Sequence, residues 1–423
     1  MKKILLTTLF ALVAAYTWAI TVKVNGLYYE IDGRLATLVR YTSEETKYTG
    51  DITIPATVSY SSKIYKVTAI GKDAFSWCDI TSVSIPNSVI SIGNYAFGSC
   101  TMLTEVKIPD SVTEIGTGLF YDCTGLTSAV LSKNLTAIPD FTFDGCENLT
   151  TCEIPNKVTR IGEDAFRHTK ITKLEIPNTV TYIGRSAFID CDNLTSIVIP
   201  NSVTEMGTNV FNSCEGVKSI TISNNLTEIP KYTFASATGL AEIVTIPSSI
   251  SFIGEGAFEG YPLDEIIFLP TVPPTIQKGS YSNTFPDGIK IYVPKASLEA
   301  YKAHDNYATY TILSIEDDLP KCATPVITKS GDKWTLECET EGVTYTLKEE
   351  VKFFELTGAN EVSCNPMLYL YVYANKNGMC QSLPALLKCA ISSASSNGDV
   401  DGNGTVNIAD VTKLVNIILK KDN

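Results

Sequence analysis

One phrase recurs along most of this chain at a nearly fixed interval. A central copy, Ile199-Pro200-Asn201-Ser202-Val203, restates Ile85-Pro86-Asn87-Ser88-Val89. Each copy also contains a phenylalanine, and the separation between successive members is 22 to 24 residues: Phe75, Phe97, Phe120, Phe143, Phe166, Phe188, Phe211, Phe234 and Phe258. A period near 23 predicts a solenoid, because each unit can bury its apolar face only against its neighbours.

A short strand is predicted before the Ile-Pro pair of each unit. In one such strand, Cys152 and Ile154 would face the core while Thr151 and Glu153 face solvent. The outward positions form columns along which a broad protein ligand could lie, and an ordinary solvated sheet face explains them equally well. The candidate binding residues on this face are Glu105, Lys107, Thr151, Glu153, Lys173 and Glu175.

The two ends of the repeat region differ from its middle. Lys2 and Lys3 precede a short apolar run at residues 4–15, which predicts an export signal cleaved after Ala19. Residues 20–70 are predicted to form an N-terminal cap with the first repeat, and residues 71–315 a solenoid that ends in a C-terminal cap. No later segment is apolar for long enough to cross a membrane, so we expect a secreted chain.

The composition changes after the repeats. Residues 321–391 alternate as strands between Gly and Asn turns, which predicts a small β-sandwich. Residues 392–397 form a polar linker, and residues 398–423 hold a separate motif. The chain is therefore predicted to be mainly β, with short turns and helices.

The C-terminal motif has the spacing of a calcium loop. Oxygen-bearing side chains alternate in a 12-residue loop, with Gly404 at the sharp turn, and such hard ligands suit Ca²⁺. The predicted ligands are Asp399, Asp401, Asn403, Thr405 through its carbonyl, Asn407 and Asp410. The alternative is an Asx-rich turn that precedes a helix.

An apolar helix is predicted directly behind this loop. Its apolar positions follow a helical period and are Val411, Leu414, Val415, Ile418 and Leu419. So much apolar surface on a short helix should be covered, either by a partner, by a second copy, or by the preceding β-domain.

The repeat Ile-Pro-x-x-Val-Thr-x-Ile-Gly-x-x-Ala-Phe-x-x-Cys resembles the BspA-like leucine-rich repeat family over roughly residues 50–315. That resemblance implies a right-handed solenoid with a parallel sheet, in secreted or surface proteins of which some are adhesins for host matrix proteins. Residues 398–423 look like one half of a type I dockerin, and family dockerins carry two halves. That second resemblance implies an EF-hand-like loop-helix and a cohesin-like partner, so an accessory role in a polysaccharide-degrading complex is the alternative function.

Composition argues against two classes of function. The formal net charge is −13, whereas a general nucleic-acid binder needs a basic stripe. Only His168 and His304 are available as histidine bases, and they are predicted in the fifth full unit and in the cap. We therefore expect no enzyme, and a catalytic role within residues 316–391 is the least favoured alternative.

Six cysteines share one position of the repeat: Cys78, Cys100, Cys123, Cys146, Cys191 and Cys214. Secretion permits disulfides, yet aligned side chains on stacked rungs suit packing better than bridging. We therefore expect a column of buried thiols. The five C-terminal cysteines could supply one or two disulfides, and at least one would stay free: Cys322, Cys338, Cys364, Cys380 and Cys389.

The calcium loop predicts stoichiometric metal binding. Calorimetric titration of the chain from residue 20 should show saturation near one Ca²⁺ per chain, because one loop supplies a full set of oxygen ligands. The double variant Asp399→Ala/Asp401→Ala should lose that binding. A titration without saturable heat would reduce the motif to an Asx-rich turn.

Overall fold

The computed structural model describes residues 20–41, 47–239, 243–279, 284–286 and 288–318, together with five later strands. The chain divides into two compact units. The first comprises residues 1–241, 247–263 and 274–287, and the second comprises residues 242–246, 264–273 and 288–423. The described elements are almost entirely β, as the sequence predicts.

The first unit begins with antiparallel strands. Strands Ile20–Val24, Leu27–Asp32 and Leu35–Val39 pair in order, and Asn25 and Gly26 make the first turn with φ of 50° and 84°. A further hairpin joins Thr57–Tyr60 to Lys63–Ile70. This hairpin confirms the insertion that the long first repeat predicts around residues 59–63.

The repeats then form a solenoid with two rows of short parallel strands. The front strands lie before the Ile-Pro pairs and are Thr49–Thr53, Asp79–Ser84, Glu105–Lys107, Ser128–Val130, Thr151–Cys152, Ser196–Val198 and Ser219–Thr221. The rear strands lie before the repeat glycine and are Ser91–Ile92, Glu114–Ile115, Ala137–Ile138, Arg160–Ile161, Tyr182–Ile183, Glu205–Met206, Glu228–Ile229, Phe252–Ile253 and Thr275–Ile276. Pairing joins equivalent positions of successive units, as in Ser128 opposite Glu105 and Thr151.

A column of phenylalanine rings runs through the core of this unit. The nine repeat phenylalanines and Phe285 are at most 1% exposed. Successive rings stack with centroids 5.2–5.9 Å apart and interplanar angles of 3–27°. Each ring therefore contacts the rings of both neighbouring units, which fixes the stacking register.

A tight turn surrounds each ring of the column. We call the five residues centred on a column phenylalanine the Phe turn, as in residues 95–99. Its first and last residues have left-handed φ, 52° at Tyr95 and 56° at Ser99. Alternate N–H groups donate to the next rung, with N···O distances of 2.9 Å from Tyr95, 3.1 Å from Phe97 and 2.6 Å from Ser99.

One front strand that the sequence predicts is not formed. Residues 171–176 have no strand, so the front row is interrupted between Thr151–Cys152 and Ser196–Val198. This unit has one residue fewer between its phenylalanine and its Ile-Pro pair than the units on either side. The shortened turn offsets the backbone, and the Thr172 N–H lies 3.4 Å from the Thr150 carbonyl, against 3.0 Å for the equivalent bond from Thr150.

The second unit contains a parallel sheet of strands Val244–Ile246, Glu265–Phe268, Lys290–Val293 and Thr311–Ser314. The helical segments are Lys295–Ser297, Leu298–Lys302, Asp305–Tyr307 and Ile315–Asp318. The buried rings of Tyr301 and Tyr307 pack edge-on against Phe268, and the Tyr301 hydroxyl donates to the Pro270 carbonyl at 2.8 Å.

Five antiparallel strands lie within the predicted β-sandwich. Val326–Ser330 pairs with Lys333–Glu337, and Met367–Asn375 pairs with both Thr344–Lys352 and Ala385–Ala390. Packing of these two sheets face to face stays a prediction. The loop and helix predicted after residue 397 lie outside the described residues.

Two glycines of the first unit should respond oppositely to alanine. A Cβ on Gly184 would lie 2.5 Å from the Gly162 carbonyl carbon, whereas one on Gly98 would meet nothing closer than 3.4 Å. Because backbone must move to admit it, Gly184→Ala should lower the free energy of unfolding by about 1–3 kcal/mol. Gly98→Ala should change it by less than about 1 kcal/mol. Urea unfolding midpoints of the two variants measure the difference, and equal midpoints would contradict the close approach of these rungs.

Candidate interaction surfaces

Two of the six candidate binding residues lie where the sequence predicts. Glu105 and Lys107 are exposed on strand Glu105–Lys107, while Val106 between them is 5% exposed and belongs to the core. The next rung places Ser128 and Val130 beside them. The front face therefore presents a negative and a positive side chain beside an exposed valine.

The other four surround the interruption in the front row. Thr151 lies on strand Thr151–Cys152 and Glu153 directly follows it, whereas Lys173 and Glu175 lie outside any strand. The Lys173 ammonium and the Glu175 carboxylate form an ion pair at 2.5 Å, and both side chains are about three-quarters exposed. An exposed pair of this kind contributes little to stability. The six residues thus fall into two groups.

The predicted calcium ligands and the docking helix are not placed by the structure. All six ligands, from Asp399 to Asp410, and the helix residues from Val411 to Leu419 lie outside the described residues. Within the described part of the chain, no group of three or more His, Cys, Asp or Glu side chains could hold a metal ion. The same part contains no helix with the length and apolar character needed to span a bilayer.

The predicted column of buried thiols is confirmed for the six repeat cysteines, which are buried and unbridged. Five of the thiols donate to the phenylalanine carbonyl of the preceding unit, as Cys123 Sγ does to Phe97 at 3.0 Å and Cys146 Sγ to Phe120 at 3.1 Å. Burial raises the pKa of Cys191 to about 12, so this thiol stays protonated and unreactive at neutral pH.

A charged group occupies the Phe turns of the middle units. Arg167 and His168 are consecutive residues of one turn, and Asp144 and Asp190 lie in the turns on either side. Arg167 Nε lies 3.9 Å from Asp144 Oδ1, and His168 Nε2 lies 2.9 Å from Asp190 Oδ2. Asp144 is 7% exposed, so its carboxylate is buried beside one loosely placed guanidinium.

Burial dominates the electrostatics of this group. It raises the pKa of Asp144 to about 6, and the nearby Arg167 guanidinium only partly offsets the effect. Burial also raises the pKa of Asp122 and Asp164 above their ordinary values. The carboxylates of these turns therefore carry more negative charge than the neighbouring cations compensate.

Sequence reasoning missed the aromatic side chains of the Phe turns. Trp77 is 63% exposed and adopts φ of 62°, while Tyr95 and Tyr121 are half-buried. The Tyr95 and Tyr121 rings contact each other edge-on with centroids 5.9 Å apart. The 23-residue period already puts Trp77 and Tyr121 next to the phenylalanine position, and tabulating those offsets beside the strand offsets would have found them.

Comparison with known proteins identifies the repeat. A model of the family described as BspA type Leucine rich repeat region (6 copies) matches residues 68–194 and 159–285, which together exceed half of the chain. No curated protein matches the chain.

Several solved structures are similar to this chain. A leucine rich cell surface protein from Faecalibacterium prausnitzii A2-165 is 23% identical, with a TM-score of 0.36 over 70% of this chain and 94% of that one. A leucine-rich repeat protein from Bacteroides ovatus ATCC 8483 is 22% identical, with a TM-score of 0.36 over 69% and 100%. The pneumococcal vaccine antigen PcpA is 16% identical, with a TM-score of 0.39 over 70% and 98%.

Asp144 should make stability depend on pH. Its folded pKa of about 6 lies above the unfolded value, so the folded state binds the proton more tightly, and stability should rise as pH falls from about 7 to about 4. Asp144→Asn should remove this rise and stabilise the chain at neutral pH by about 1–3 kcal/mol. Thermal unfolding between pH 4 and pH 8 measures it, with the exposed Glu105→Gln as control. A pH profile unchanged by Asp144→Asn would contradict this account.

Proposed function

Because this chain belongs to the BspA-type leucine rich repeat family, we propose that it is a non-catalytic protein that binds protein ligands through its solenoid surface. The matched family is defined by its repeat and is not a catalytic family. The expected ligands are host or bacterial surface proteins. In keeping with the family resemblance, the solenoid is proposed to be right-handed.

The observation that carries this proposal is the front face. Its strands hold alternate side chains outward at fixed spacing, and rungs about 4.8 Å apart repeat that spacing along the unit. The surface needs no rearrangement to meet a partner, since its backbone is already hydrogen-bonded between rungs. Preorganisation of this kind lowers the entropy cost of binding.

Export is a second part of the proposal. The signal at residues 1–19 would deliver the mature chain outside the cell, where it is released or held at the surface. Buried, hydrogen-bonded thiols suit such a chain, because they leave few reactive cysteines in an oxidising environment.

The C-terminal calcium module supports an alternative function. The ligand spacing from Asp399 to Asp410 and the apolar helix behind it favour docking onto another module. In this alternative the protein is an accessory component of a polysaccharide-degrading complex, attached by a dockerin–cohesin type of contact. Calcium-dependent binding of a purified cohesin, lost in Asp399→Ala/Asp401→Ala, would favour it.

A charge exchange on the front face tests the main proposal. The variant Glu105→Lys/Lys107→Glu keeps the net charge but reverses the local pattern, so it should weaken binding to the matrix proteins that the chain recognises by tenfold or more. Surface plasmon resonance on a panel of immobilised extracellular-matrix proteins measures the change.

Two controls accompany this test. The rear-strand exchange Glu114→Lys/Arg160→Glu also keeps the net charge and should leave binding unchanged. Deletion of residues 392–423 should also leave it unchanged, since the solenoid carries the site. Loss of binding on that deletion, or no effect of the front-face exchange, would contradict the proposal.

A further inference from the structure

Trp77 is exposed in a backbone conformation that disfavours it. Its φ is 62°, and equivalent positions of other Phe turns hold glycine at Gly145 and Gly260 or serine at Ser99 and Ser213. A bulky residue in the left-handed region is uncommon, because its Cβ crowds the backbone. Its indole is 63% exposed, so burial of the ring does not compensate for the strained backbone. Strain of this kind, left in place at the surface, is typical of a functional position.

The next rung leaves space beside this ring. The Trp77 N–H donates to the Gly98 carbonyl at 2.8 Å, so Gly98 adjoins Trp77 along the column. The fold does not require glycine there, since φ at Gly98 is not positive and an added Cβ would meet nothing closer than 3.4 Å. By contrast, a Cβ on Gly93 or Gly116 would lie 2.6 Å or less from neighbouring atoms. The missing side chain at Gly98 thus keeps the surface beside Trp77 open.

A second aromatic side chain lies beyond this opening. The Ser99 N–H donates to the Tyr121 carbonyl at 2.6 Å, which puts Tyr121 one rung past Gly98 and two rungs past Trp77. Two rung spacings amount to about 10 Å between the backbones of Trp77 and Tyr121. Such a separation admits one planar group, since ring faces approach a stacked partner at about 3.5–4 Å. The edge-on contact with Tyr95 restrains the Tyr121 ring.

The charges around this opening are mainly negative. Asp122 follows Tyr121 in the chain, and Asp122 and Asp144 raise the pKa of the Tyr121 hydroxyl, Asp122 most strongly. The nearest cations are already engaged, because Arg167 faces Asp144 and Lys47 forms an ion pair with Asp79 at 3.0 Å. An incoming cation would therefore meet both carboxylates and aromatic faces.

We propose that Trp77, Gly98 and Tyr121 form a slot for an arginine side chain of a basic polypeptide, with Asp122 and Asp144 supplying the opposite charge. Guanidinium is planar, always charged, and stacks on aromatic faces, whereas the compact ammonium of lysine gains less from two flanking rings. This inference rests on the proposed function, because it names the chemistry of a protein partner, but it assigns that partner to the Phe turns rather than to the front face.

Fluorescence of Trp77 tests the slot directly. Of the three tryptophans, Trp18 precedes residue 20, so Trp334→Phe leaves Trp77 as the only one in the chain from residue 20. In 0.15 M NaCl, acetylated hexa-arginine should change its emission saturably, and acetylated hexalysine should bind at least tenfold more weakly. Equal binding of the two peptides would show general attraction to an acidic surface and overturn the proposal. A response to cellohexaose with none to hexa-arginine would assign the slot to neutral sugars and overturn it too.

Matched variants separate the slot from folding. Gly98→Leu should abolish the response because its side chain fills the opening, whereas Gly98→Ala should keep the fold and weaken binding only partly. Trp77→Ser, which introduces the residue found at Ser99 and Ser213, should lose hexa-arginine binding in calorimetry. Asp122→Asn should weaken binding about fivefold or more. Full binding by a folded Trp77→Ser variant would overturn the proposal.

A further variant distinguishes this inference from the function it rests on. Glu105→Lys/Lys107→Glu should bind hexa-arginine as the parent chain does, because it changes only the front face. If matrix-protein binding fails while hexa-arginine binding persists in the slot, the proposed function fails and the arginine site stands. If hexa-arginine binding alone fails, the slot is wrong and the front-face proposal is untouched.

Discussion

Stacking of the phenylalanine column is the interaction on which the rest of the first unit depends. Each ring contacts the rings before and after it at 5.2–5.9 Å, so the column sets both the spacing and the rotation of successive units. The left-handed residues on either side of each ring turn the chain so that the ring points inward. The same turn directs the neighbouring positions outward, which is why Trp77, Tyr121 and the charged residues of the middle units lie in columns on one surface. Core packing and surface pattern therefore have a common origin.

The sequence was sufficient to predict the features that repetition reinforces. Nine copies of one phrase predict the solenoid, its inward phenylalanines and its buried thiols, because every unit must satisfy the same contacts with its neighbours. A feature confined to one unit was harder to predict. The missing residue before Ile176 removes a front strand, but Phe75 and Ile85 have the same short spacing and the strand between them forms, pairing with Thr49–Thr53. The outcome depends on the neighbouring rungs and not on the local sequence.

The candidate sites divide in the same way. Alternation within a strand was enough to place Glu105 and Lys107 on the front face, because side-chain direction follows directly from the period of a strand. Trp77 was not foreseen, because no residue type announces a left-handed conformation in an aromatic residue. The loop from Asp399 to Asp410 is a prediction of another kind, since its evidence is the spacing of its own ligands and owes nothing to the solenoid.

The equivalence of contacts between rungs has a consequence for how such a chain can change over generations. Ser128 pairs with Glu105 and Thr151, and Cys123 bonds to the Phe97 carbonyl as Cys146 does to Phe120, so each contact joins like positions of adjacent units. Loss or duplication of one whole unit by recombination would therefore rejoin equivalent atoms and leave the core complete. The recognition surface would be shortened, lengthened or reordered in the same step. A lineage carrying this fold can thus vary what it recognises by changing copy number, without first redesigning the interior that holds it together.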